Sequence, residues 1–244
     1  MVITRIQRLV FILLIPVLLA AASEIAPKPA FNSLTKRDPL GAIQRFLKRQ
    51  DSVQQTSDTL KIMALRAEFV RDDLATTTGN GKFDLSDTSE YKIDRPPHNR
   101  TYFSHQLLAL RNYFRTVSGG KLILEYDVWP EEENIAYQLP ENMVYYSGEE
   151  DTTKQKLRWC ELVRDAVTAA ADRDTPDFSA YDVLIVFHAG VGADISFDFD
   201  TTPFDIQSAF IDFSTFRQTL GGGDPEYQGV PAGNIHLKEA ILFP

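Results

Sequence analysis

Cysteine occurs once in 244 residues, at Cys160, and histidine four times, at His98, His105, His188 and His236. A single cysteine excludes a disulfide framework and a thiolate zinc knuckle. No histidine has another within three to five residues, so no helical pair can hold a metal on one face. Basic residues are outnumbered, 25 against 34 acidic, and the net charge of −9 excludes a nucleic-acid binder that works by neutralising phosphates. No apolar run reaches the roughly 20 residues of a bilayer-spanning helix. What is present is ordinary for a globular chain. Hydrophobic residues make up 43% and charged residues 24%, enough for a buried core without staples.

Residues 1–22 read as a signal peptide: Arg5 and Arg8 form a basic head, Leu9 to Leu19 an apolar run of about eleven residues, and Ala20-Ala21-Ala22 a small-residue cleavage site. The alternative is an uncleaved N-terminal anchor. Cleavage near Ala22 removes two arginines and no acid, which moves the net charge from −9 to −11 and predicts an exported protein with no stable membrane span. Residues 23–57 are polar, with one short helix expected at 40–47, and read as a linker or pro-like lead-in. The domain proper is expected over 58–244.

Residues 60–70 are apolar on both faces and predict a central strand. A polar excursion with turn chemistry follows to Pro96-Pro97. A helix is predicted over 101–117, where Phe103, Leu107, Leu110, Phe114 and Val117 form one buried stripe that Ser118-Gly119-Gly120 terminates. Residues 121–129 alternate, with Leu122, Leu124, Tyr126 and Val128 on one side, as in a half-exposed strand near a sheet edge. A second helix over 153–171 turns Leu157, Cys160, Val163, Val167 and Ala170 inward, with Cys160 a buried, inert thiol. Val183 to Phe187 is a fully buried strand, followed by the glycine loop His188-Ala189-Gly190-Val191-Gly192-Ala193-Asp194. Residues 206–216 show no settled period, and 234–243 reads as a closing strand. This order predicts an α/β or α+β domain with helices packed on a mixed sheet.

The loop after His188 sits where such sheets host chemistry, at a strand's carboxyl end. It lacks lysine and the full Gly-x-Gly-x-x-Gly spacing, so a phosphate cradle is not expected there. A tight turn, with His188 satisfied by a backbone partner, is. Asp194, Asp198, Asp200 and Asp205 offer hard oxygens suited to calcium, although not at the spacing of the twelve-residue calcium loop. Nucleophilic hydrolysis finds no Gly-x-Ser-x-Gly elbow and no histidine partner for Cys160. His98 and His105 are seven apart with no glutamate between them, and read as surface or cap residues. Asn99-Arg100-Thr101 matches the N-glycosylation acceptor pattern.

Five segments carry a family resemblance: LKIMALRAEF (60–69), NRTYFSHQLLALRNYFRTVSGGKLILEYDVWP (99–130), LVRDAV (162–167), DFSAYDVLIVFHAGVG (177–192) and HLKEAILFP (236–244). Together they resemble secreted zinc metallopeptidases of the immune inhibitor A type. The most specific passages are Tyr113 through Ser118-Gly119-Gly120-Lys121-Leu122, and Asp177-Phe178-Ser179-x-Tyr181-Asp182 leading to His188-Ala189-Gly190-x-Gly192. The resemblance implies a zincin-like domain that cleaves protein or peptide substrates with a zinc-bound water. The family's His-Glu-x-x-His helix lies downstream of the passage matched by 236–244, so no catalytic, cofactor-binding or metal-binding residue is assigned in this chain. Zinc is implied by the family without ligands here. The chain is expected to be an inactive N-terminal part of a peptidase or a divergent inactive relative, with the strand near Ile241 exposed and aggregation-prone. The alternative is a secreted or surface binding module using the Asp194–Asp205 loop, with calcium.

Overall fold

The computed structural model describes residues 57–87, 94–148, 152–194 and 201–244. The readings of a signal peptide, of a helix at 40–47 and of Asp198 and Asp200 as calcium ligands lie outside those residues. Strand β1 (Asp58–Glu68) is exposed for its first two residues and then buried almost without break. It is central, as its two-sided apolar pattern predicts. Helix α1 (Arg100–Val117) begins at Asn99, whose side chain accepts a hydrogen bond from the Tyr102 backbone N–H at 3.0 Å. That bond satisfies one of the amides orphaned in a first turn. Gly119 (φ 62°) and Gly120 (φ 80°) then turn the chain into β2 (Leu122–Trp129).

Beyond β2 come β3 (Tyr137–Gln138), the short helix α2 (Met143–Ser147), the long helix α3 (Thr152–Arg173) and β4 (Val183–His188), every residue of which is buried. After these follow β5 (Ala209–Ile211), α4 (Phe213–Thr219), the hairpin β6 (Val230–Ala232) and β7 (Ile235–Leu237), and finally β8 (Ala240–Phe243). The main sheet runs β2-β1-β4-β8-β5, with β3 added alongside the end of β1. Strands β1, β4 and β8 are parallel, in the register Leu65↔Val186↔Leu242, and β5 is antiparallel to β8. The protein is therefore a mixed α/β domain with a mixed parallel and antiparallel sheet and packed helices.

Period-two alternation distributes the strand side chains between two layers. Met63, Leu65, Ala67, Leu184, Val186 and Leu242 join Cys160, Val163, Val167 and Ala170 of α3 in one core. Phe187, on the other face, stacks between Phe103 of α1 at 4.7 Å and Phe243 of β8 at 6.2 Å. Full burial of each such side chain stabilises by about 1.5–3 kcal/mol. Among the described residues no helix is long and apolar enough to cross a membrane.

Three expectations are corrected, and one unread stretch is resolved. Val117 is 58% exposed, at the last residue of α1 where the chain runs into the glycine turn. Residues 234–243 are two strands, since β7 turns back on β6 while β8 enters the main sheet. Ile241 is 2% exposed, because β8 is bonded on both sides, so the strand there is neither exposed nor an edge. Residues 206–216 hold β5 and the start of α4, and Asp212 caps α4 by accepting from the Thr215 N–H at 2.8 Å. That N-cap residue was the legible signal. The edge position and half-burial expected of 121–129 are found in β2, where Leu124 and Val128 are the buried pair.

Candidate functional site

A cleft of about 520 Å³ opens at the carboxyl ends of the parallel strands. Its floor carries His188, Gly190 and Gly192, just past β4, together with Pro244, just past β8. The loop after β1 contributes Thr78, Gly79 and Lys82, and Phe83, Tyr102 and Phe103 form an aromatic wall. Asp84, Asp94 and His98 complete the lining.

The glycine loop bends at Ala189-Gly190, and its glycines let neighbouring segments pass close. A Cβ on Gly190 (φ 99°) would lie 2.3 Å from Met143 Cε, and one on Gly192 would lie 2.7 Å from Pro244 Cγ. Neighbouring segments fill the space that any side chain would need. His188 is fully buried and its Nδ1–H donates to the Ala189 carbonyl at 3.0 Å, the backbone partner expected. Its Nε2 has no hydrogen-bond partner. Burial pushes the imidazole pKa down to about 4, outweighing the Ala189 bond and the distant Asp194 charge.

The walls are held by long-range contacts. Asp205 accepts from both the backbone N–H and the hydroxyl of Thr78, each at 2.6 Å, and so ties the loop after β1 to the loop before β5. Lys82 pairs with Glu68 at 3.4 Å and donates to Gln138 Oε1. The Tyr102 hydroxyl donates to Asp94, and burial followed by that bond raises its pKa above the ordinary tyrosine value. His98 lies against the Tyr102 ring at 4.7 Å, with Nε2 3.1 Å from the Asp94 carbonyl. Hydrogen bonds from Ser86 hold the Asp84 carboxyl below the usual carboxylate range.

The residues singled out from sequence are dispersed. His98 and His188 both line the cleft, whereas His105 is exposed on α1 and His236 is exposed on β7. Asp194 and Asp205 are separately engaged, Asp194 by the Ser208 backbone and hydroxyl at 2.9 and 2.7 Å and Asp205 by Thr78. Among the described residues no group of three or more histidine, cysteine or acidic side chains is placed to hold a metal. Cys160 is buried and does not line this cleft, and burial pushes its thiol up to about 11. Sequence reasoning missed the Asp94–His98–Tyr102 group; the i,i+4 spacing of Asp94 and His98 was its one local signal.

Fold and cleft define a mixed α/β protein with its candidate site at the carboxyl ends of parallel strands, where ligands of such sheets commonly bind. No protein-family model and no curated protein sequence matches the chain.

Proposed function

We propose that this chain supplies the amino-terminal part of the catalytic domain of a secreted zinc-dependent metallopeptidase of the immune inhibitor A type. The observation that carries this reading is the cleft at the carboxyl ends of the parallel strands, lined by His188, Gly190 and Gly192 of the passage that carries the resemblance. The resemblance implies a His-Glu-x-x-His helix downstream of Pro244.

In this reading residues beyond Pro244 would hold the zinc, which when bound would supply Lewis-acid activation of a water. The chain's own residues build the surroundings. Glycine-loop backbone and aromatic rings shape the cleft, and the Thr78–Asp205 bonds fix the loop over it. Among the described residues β5 pairs only with β8, leaving its other edge for an extended peptide to join by backbone hydrogen bonds. Residues 1–22 direct export, with cleavage near Ala22.

The test begins with the coding sequence past the Pro244 codon. An in-frame His-Glu-x-x-His supports the reading, and a frame without it overturns it. The extended protein is then expected to cleave casein in a chelator-sensitive way, while the 244-residue chain does not. Tight stoichiometric zinc and chelator-sensitive proteolysis in the 244-residue chain alone would contradict the proposal.

A further inference from the structure

The polar chemistry facing the cleft runs one way. A carbonyl oxygen can only accept, so the contact between His98 Nε2 and the Asp94 carbonyl places a proton on Nε2, which also lies 3.6 Å from the Asp94 carboxylate. The same logic at His188, whose Nδ1 faces the Ala189 carbonyl, makes its buried and unpartnered Nε2 an acceptor. The Tyr102 proton goes to Asp94 and the Thr78 hydroxyl proton to Asp205. Lys82, the ammonium of this lining, is held by Glu68 and Gln138. At the exposed rim the Asp84 and Asp94 carboxylates accept only. The wall between rim and floor is aromatic, and ring faces attract cations.

We propose that the cleft binds an organic cation carried on an apolar stem, an amidinium, guanidinium or primary ammonium, with the stem against Phe83, Tyr102 and Phe103 and the charge met by Asp84 and Asp94. This rests on the peptidase reading only for its biological meaning, in which the cleft receives a basic side chain of the peptide substrate. An anionic ligand of the same shape would face the acceptors with nothing to donate to them, and a neutral amide would donate without the charge that strengthens the contact, which costs binding. A volume of about 520 Å³ holds a group the size of an arginine or lysine side chain with room for backbone beside it.

The experiment titrates the full chain, without added zinc, with benzamidine, benzamide and benzoate, which share one ring and differ in charge. Calorimetry and amide chemical shifts of Gly190 and Gly192 report binding. Benzamidine is expected to bind saturably, benzamide about tenfold more weakly and benzoate not at all. Asp84→Asn and Asp94→Asn are each expected to weaken benzamidine about threefold, and Asp172→Asn, on an exposed position of α3, to leave it unchanged. Because Asp94 also anchors Tyr102, Asp84→Asn decides alone should the Asp94 variant misfold. Equal binding of benzamide, no saturable benzamidine binding, or indifference to Asp84→Asn overturns the proposal. Casein cleavage by the extended protein is read independently, so loss of cation binding with proteolysis retained removes this inference and leaves the peptidase reading standing.

Discussion

Arg66, in the middle of the central strand, donates through Nη2 to the carbonyl oxygen of Pro130 at 2.8 Å. The same guanidinium also serves the carbonyls of Glu132 and Glu133, so one buried fork organises the turn after β2. Burial lowers its pKa to about 10, a charge held in place by acceptors.

Replacing this arginine tests that role. Arg66→Met is expected to destabilise by about 2–4 kcal/mol, since it orphans the carbonyls the fork satisfies. Arg66→Lys should recover little, because an ammonium lacks the planar fork. Urea denaturation measures both, and a methionine variant as stable as the native chain would refute the assignment.

Stability should fall in mild acid on account of His188. Its pKa is depressed in the folded state, to about 4, so the unfolded chain binds its proton first as pH drops below about 6.5. The stabilisation is whole above that value and declines by about 3 kcal/mol as pH falls towards 4. His188→Gln should flatten this part of the stability–pH curve, and an imidazole that titrates near 6.5 in the native protein by NMR would contradict the burial argument.

Cys160 is expected to be silent towards Ellman's reagent in the folded protein and to release one equivalent on denaturation. Its thiol is 0% exposed and its pKa is pushed up to about 11, so almost no thiolate exists at neutral pH. Rapid native reaction would show that α3 opens locally.

Gly148 is one of the least replaceable glycines among the described residues. It ends α2 at φ 75°, and a Cβ there would lie 2.3 Å from the Gln155 Cα, a backbone atom that cannot step aside. Gly148→Ala should cost more than about 2 kcal/mol, whereas Gly120→Ala, at φ 80° but with nothing within 4 Å, should cost only about 1 kcal/mol. Thermal unfolding of the pair separates clash from backbone strain.

The elements readable from sequence are those whose burial repeats along the chain. Residues 60–70 and 183–187 advertise two-sided burial, and the spacing of Phe103, Leu107 and Phe114 writes out one helix face. Short elements escape that reading, because β3 and β5 have two and three residues, too few for a period to show. The split at Lys238-Glu239 escapes it too, since both halves of 234–243 look like strand and only pairing separates β7 from β8.

Sequence alone determined the alternation of strands and helices, the acidic surface and the inert thiol, because composition and periodicity are properties of neighbouring residues. The tertiary structure decided the rest. Asp205 clasps Thr78 across 127 residues, Arg66 meets carbonyls 64 to 67 residues away, and His98 and His188 come to one cleft. Such contacts depend on sheet order and crossover, and local spacing carries no record of either.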